Sequence, residues 1–105
     1  MALRVQVCHL ADVTAGQLRA FTVDGVTWPV MVGRFEDELI AVPGVCPHDD
    51  VGFVDYGELC DMTLVCRVHG FGFDLRTGRC ENDPRLHLRR YRVTVIGDEV
   101  WVDLL

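Results

Sequence analysis

The sequence predicts an all-β fold of antiparallel strands. Short runs of alternating or β-branched residues recur along all 105 residues, with turn residues between them. Two dipeptides, Asp24-Gly25 and Gly97-Asp98, sit between such runs as hairpin turns do. Apart from one short stretch near the N-terminus, no segment carries a 3.6-residue apolar period.

The elements follow in order. Leu3 to Leu10 alternates as a strand. Ala11 to Leu18 offers one possible helical turn, capped by Asp12 or Thr14. Arg19–Val23 and Val26–Val32 flank Asp24-Gly25 as a hairpin, and Pro29 puts the second of them at an edge or bulge. Leu39 to Val42 is a short apolar strand that stops at Pro43-Gly44. Met62 to Cys66 is another. Leu88–Ile96 and Glu99–Leu104 flank Gly97-Asp98 as the closing hairpin.

Length and composition narrow the function. Residues 1–105 suit one domain with a modest core. Half the residues are hydrophobic, and no run of apolar residues is long enough to span a bilayer. The start lacks the apolar core of a signal peptide, so the cytoplasm is expected. A net charge of −6 disfavours nucleic acid and anionic membranes. All ten basic residues are Arg. Charge is segregated: eight acids and no base lie between Phe35 and Cys66, while Arg85 to Arg92 holds four Arg and no acid.

Two fragments carry the chemistry: Cys46-Pro47-His48 and Cys66-Arg67-Val68-His69-Gly70. Each supplies one thiolate and one imidazole. A Cys2His2 zinc site uses the same donor types, although zinc sites more often pair Cys with Cys and His with His. The C-x-H…C-x-x-H-G spacing closely resembles the Rieske family. So does the following Phe71-Gly72-Phe73-Asp74-Leu75-Arg76-Thr77-Gly78 run, and the likeness continues through the closing Tyr91-x-Val93-x-Val95-x-Gly97-Asp98-x-Val100.

The resemblance implies a Rieske fold: a base of antiparallel sheet and a smaller cluster-binding part, inserted from about Gly44 to about Pro84. It implies one Rieske-type [2Fe–2S] cluster, with Cys46 and Cys66 on the inner iron and His48 and His69 on the outer. The mixed set has a physical consequence. Four thiolates around two ferric ions and two sulfides leave a doubly negative centre, whereas two thiolates and two neutral imidazoles leave a neutral one. Adding an electron to a neutral centre in a low-dielectric pocket costs less, so the potential exceeds that of an all-Cys ferredoxin. Gly70 and Gly72 are expected to let amide N–H groups point at the sulfurs. Pro84 falls in the family's third loop over the cluster.

Departures from the family pattern refine the expectation. Respiratory Rieske proteins carry an extra disulfide where this chain has Val51 and Val68. They carry Ser and Tyr as hydrogen-bond donors where this chain has Phe71 and Phe73. Fewer donors mean a potential low in the Rieske range. Arg67 stands where proline is usual and is expected to cover surface. Cys8, Cys60 and Cys80 are expected to be buried, free and small-hydrophobe-like.

His9 and His87 are the remaining histidines, and neither forms a 2-His-1-carboxylate motif; no G-x-G-x-x-G is present either. The chain is thus expected to be no enzyme but an electron-transfer component. By resemblance it is the ferredoxin of a multicomponent bacterial aromatic-ring oxygenase system, in aromatic hydrocarbon catabolism. Its expected partners are an NAD(P)H-dependent flavoprotein reductase and a terminal oxygenase, both met transiently by a monomer. Asp49 and Asp50 are expected to steer that docking. The alternatives are the small subunit of an assimilatory nitrite reductase, a family that often lacks the ligands, or a non-redox zinc domain.

Overall fold

The computed structural model describes residues 3–48 and 50–104. Among these, nine strands form three antiparallel three-stranded sheets, as the sequence leads one to expect of an all-β chain. The first sheet is β1 (Arg4–His9), β9 (Glu99–Asp103) and β8 (Arg92–Ile96), with β9 central. The second is β2 (Arg19–Phe21), β3 (Val30–Phe35) and β4 (Glu38–Pro43). The third is β5 (Gly57–Cys60), β6 (Thr63–Cys66) and β7 (Phe71–Asp74). A single-turn helix, α1 (Phe53–Tyr56), precedes β5. No helix of the described residues is long and apolar enough to cross a membrane.

Several boundaries differ from the sequence reading. The Asp24-Gly25 turn forms, closed by Val26 N–H on the Val23 carbonyl at 3.1 Å with Gly25 at φ 78°. The strands do not reach it: β2 stops at Phe21 and β3 begins only at Val30. Pro29 has no N–H to give to a ladder, so pairing starts one residue later. The hairpin after β3 turns through Glu36 and Asp37, both left-handed at φ 52° and 63°. No glycine marks it, and the sequence reading missed it. The helical turn is a 3-10 turn at Leu10–Asp12, and Asp12 caps it by accepting the His9 N–H at 3.0 Å. Leu88 lies outside β8, fully buried, with its N–H on the Gly78 carbonyl. The Gly97-Asp98 hairpin stands as expected, with Ile96 opposite Glu99.

The β3–β4 hairpin divides the interior in two. Its side chains alternate with period two. Val30, Val32 and Ala41 join Cys8, Val100 and Val102 in one core. Met31, Phe35, Ile40 and Val42 face the other way, into a core with Phe53, Leu64, Phe73 and Leu75. Burial on both faces explains why this hairpin reads as a nearly continuous apolar run. Ala41 also pairs with Tyr91, which links the second sheet to the first.

The segregated charges meet across the fold. Arg76 bonds Glu36 at 2.6 Å, Arg90 bonds Glu38, and Arg90 Nη1 donates to the Arg76 carbonyl at 2.5 Å. These acids are therefore ion-paired rather than merely solvated.

Candidate metal centre

The first ligand loop grows out of the end of β4. Gly44 N–H donates to the Pro29 carbonyl at 2.8 Å, and the Gly44 carbonyl accepts Phe53 N–H at 2.9 Å. Val45 pairs with Gly52, and Cys46 N–H donates to the Val51 carbonyl at 2.8 Å. The stem is thus a narrow antiparallel ladder with Cys46 at its top. The second loop joins β6 to β7, with Cys66 opposite Phe71.

The two loops share one closure. Asp50 N–H returns to the Cys46 carbonyl at 2.9 Å, and Gly70 N–H returns to the Cys66 carbonyl at 2.8 Å. Both closing residues are left-handed, Asp50 at φ 54° and Gly70 at φ 75°. Glycine takes that conformation without strain, and aspartate tolerates it through its short polar side chain. Each Cys therefore starts a tight turn that holds its histidine above it.

The structure separates the two donor types. Cys46 and Cys66 are 0% exposed and belong to the same core as Phe53, Leu64 and Phe73. His48 and His69 are exposed. Their rings meet edge to face with centroids 5.0 Å apart. Phe71 stacks on His48 at 4.1 Å, its plane 23° from parallel. The fold therefore brings the two imidazoles into contact and places the two thiols in one core.

The glycine amides have other partners than expected. Gly70 N–H closes its own turn, and Gly72 N–H donates to Asn82 Oδ1 at 2.8 Å. Gly72 permits a close approach instead: a Cβ there would lie 3.0 Å from Thr63 Cγ2 and 3.4 Å from Glu81 Oε2. That approach docks a third loop against β7, with Glu81 N–H on the Gly72 carbonyl at 2.8 Å. Pro84 lies in this loop, on its exposed side. Asp83 carries its carboxyl below the usual range, chiefly through hydrogen bonds from the Arg85 side chain and amide, with a smaller contribution from His48.

Arg67 is exposed, as expected, but it is not merely a cover. Its N–H donates to the Tyr56 carbonyl at 2.7 Å and its guanidinium to the Asp55 carbonyl. Nothing in sequence spacing signals this contact. Among the other thiols, Cys8 and Cys80 are buried, at 6% and 7% exposure, as expected. Cys60 is exposed and free, contrary to expectation, because it occupies an outward position of the edge strand β5. Asp50 is exposed beside His48, while Asp49 lies outside the described residues.

Two buried thiols and two exposed imidazoles on facing loops fit a two-iron, two-sulfide group, which takes one pair of donors at each iron. The comparisons agree. The chain matches the Rieske [2Fe-2S] domain family over residues 4–92. It is 28% identical over 98 residues to the ferredoxin component of the alkene monooxygenase system of Xanthobacter autotrophicus, covering 93% of this chain and 79% of that one. It is 30% identical over 102 residues to the ferredoxin component of the p-cumate 2,3-dioxygenase system of Pseudomonas putida, covering 95% and 85%. Among solved structures, the ferredoxin of carbazole 1,9a-dioxygenase from Nocardioides aromaticivorans IC177 is 33% identical, with a TM-score of 0.75 over 94% of this chain and 95% of that one.

Proposed function

Because this chain belongs to the Rieske [2Fe–2S] domain family, we propose that it is a one-electron carrier between an NAD(P)H-dependent flavoprotein reductase and a terminal oxygenase. Cys46 and Cys66 hold the inner iron, and His48 and His69 the outer. When bound, the cluster supplies one reversible electron at a potential low in the Rieske range. The chain's own residues do the rest. The core around Cys46 and Cys66 keeps water from the thiolates. Phe71 fixes the plane of the His48 ring, and the two matched turns hold both imidazoles at the surface.

The observation that carries this reading is the split in exposure, with both cysteines sealed and both histidines open. A carrier needs such an arrangement, since a partner's cofactor must come close to its metal edge. The relatives are named as ferredoxin components, electron-transfer parts of oxygenase systems rather than their catalysts. Their systems are named for an alkene, for p-cumate and, in the solved structure, for carbazole. The substrate is thus a property of the oxygenase, and an aromatic one fits the p-cumate and carbazole systems of the relatives. The carrier works as a monomer in the cytoplasm, where NAD(P)H is available. It is one domain, with a cluster-bearing part over about 44–84 that contains the β5–β7 sheet.

Metal analysis and EPR test this directly. The purified protein should contain iron and acid-labile sulfide in equal amounts, and its reduced form should give the low-average-g signal of a mixed Cys–His cluster. A flavoprotein reductase with NADH should bleach its visible absorption. A colourless protein holding zinc would overturn the reading.

A further inference from the structure

The segment that closes the first ligand loop runs straight into α1: Gly44 accepts the N–H of Phe53, the first residue of that helix. At the other end of α1, Gly57 N–H satisfies the Phe53 carbonyl. The last carbonyls of a helix have no partner within it. Here two of them, on Asp55 and Tyr56, receive donors from a single residue of the second ligand loop. Arg67 N–H continues the β5–β6 ladder one step past the Gly57–Cys66 pair, to Tyr56. Its guanidinium turns back to the neighbouring Asp55 carbonyl. A guanidinium suits this task, because its planar fork directs several donors at once and a cation is favoured at a helix C-terminus. Arg67 directly follows Cys66 and stands two places before His69.

We propose that Arg67 is a positioning residue of the metal centre, fastening the second ligand loop to the segment that closes the first and so keeping His69 in register with His48. This rests on the ligand assignment above. The contact joins loops that otherwise meet through their histidine rings, the Phe71–His48 stack and the core beneath them. Freed of it, the His69 turn can swing outward while the sheet stays folded.

The test follows the cluster rather than turnover. Loaded parent, Arg67→Ala and Arg67→Lys are mixed with an iron chelator, and the visible absorption is followed, with far-UV circular dichroism recorded alongside. Arg67→Ala, which loses the charge-assisted bond, should lose its cluster about fivefold faster than the parent. Arg67→Lys keeps a charged donor and should fall between the two. The reduced EPR lines of Arg67→Ala should broaden as His69 samples more positions, with the unfolding temperature nearly unchanged. Loss at the parent rate with unbroadened lines would overturn the proposal. So would a lowered unfolding temperature with unbroadened lines, which would make Arg67 a prop of the fold alone. A parent without iron overturns the ligand assignment and this proposal with it, whereas a loaded parent matched by Arg67→Ala overturns this proposal alone.

Discussion

Phe71 lies nearly flat on His48, with ring centroids 4.1 Å apart. Phe71 begins β7 directly opposite Cys66, so one hairpin register sets both a thiol and the plane of the imidazole from the other loop. The ring that replaces a hydroxyl donor in this chain is therefore not idle. It braces the His48 imidazole by contact.

This arrangement separates two effects on potential. Phe73 is 0% exposed and meets Phe53 edge to face at 6.2 Å. Phe73→Tyr should raise the midpoint potential by adding a donor near the sulfurs, while Phe71 and its stack stay intact. Adding Phe71→Ser should raise it again but also speed cluster loss, since the stack goes. Potentials from a redox titration decide this. An unchanged midpoint in Phe73→Tyr, with stability reduced by about 1–3 kcal/mol, would mean the hydroxyl is stranded unpaired in the core.

Docking follows from the exposed ends of the two loops. Val68, between Arg67 and His69, is 41% exposed. Val68→Asp should slow reduction by the flavoprotein at every ionic strength, because a charge is then desolvated at the contact. Asp49→Asn with Asp50→Asn should slow it at low salt only, since steering by exposed charge is screened over about 8 Å at physiological ionic strength. Stopped-flow rates across a salt series distinguish the two. A double variant matching the parent throughout would make the acids ordinary solvated surface.

The spare thiols should differ sharply in reactivity. Cys60 is exposed, whereas burial, aided by the Asp12 carboxylate, pushes the Cys8 thiol up to about 11. Iodoacetamide at pH 8 should therefore modify Cys60 first, with the visible spectrum intact, as mass spectrometry of peptides would reveal. The sign for stability also follows. The folded state keeps the Cys8 proton longer than the unfolded chain does, so stability should fall as pH climbs from about 9 through about 11. Cys8→Ala should flatten that fall. A slope unchanged by the substitution would assign it to other groups.

The charged links between the two halves should matter unequally. The Arg90 side chain is 30% exposed and reaches both Glu38 and the Arg76 carbonyl, while the Arg76 side chain is 57% exposed. Arg90→Ala should cost about 1–2 kcal/mol, because its guanidinium, whose Nε is buried, gives up two bonds even though Glu38 itself is exposed. Removing the exposed Arg76–Glu36 pair should cost about 0–1 kcal/mol. Urea unfolding of the two variants checks the order. Equal losses would mean the pairs are equally solvated.

Sequence alone determined the all-β class and the family, because these depend on residue types at short spacing. Cys46, His48, Cys66 and His69 can be picked out without coordinates, and so can the Gly97-Asp98 turn, whose glycine advertises its backbone. The Glu36-Asp37 turn could not be, since two acids adopt the left-handed region there without a glycine to signal it. Nor could α1 and β5, which are too short to carry a period and are held by their neighbours rather than by propensity. Only the tertiary structure decided that the thiols are sealed and the imidazoles open, that Phe71 braces His48, and that Arg67 reaches back to α1. Each of these is a contact between segments distant along the chain. Such contacts are set by sheet register and by which face of a strand is buried, and no local pattern encodes them.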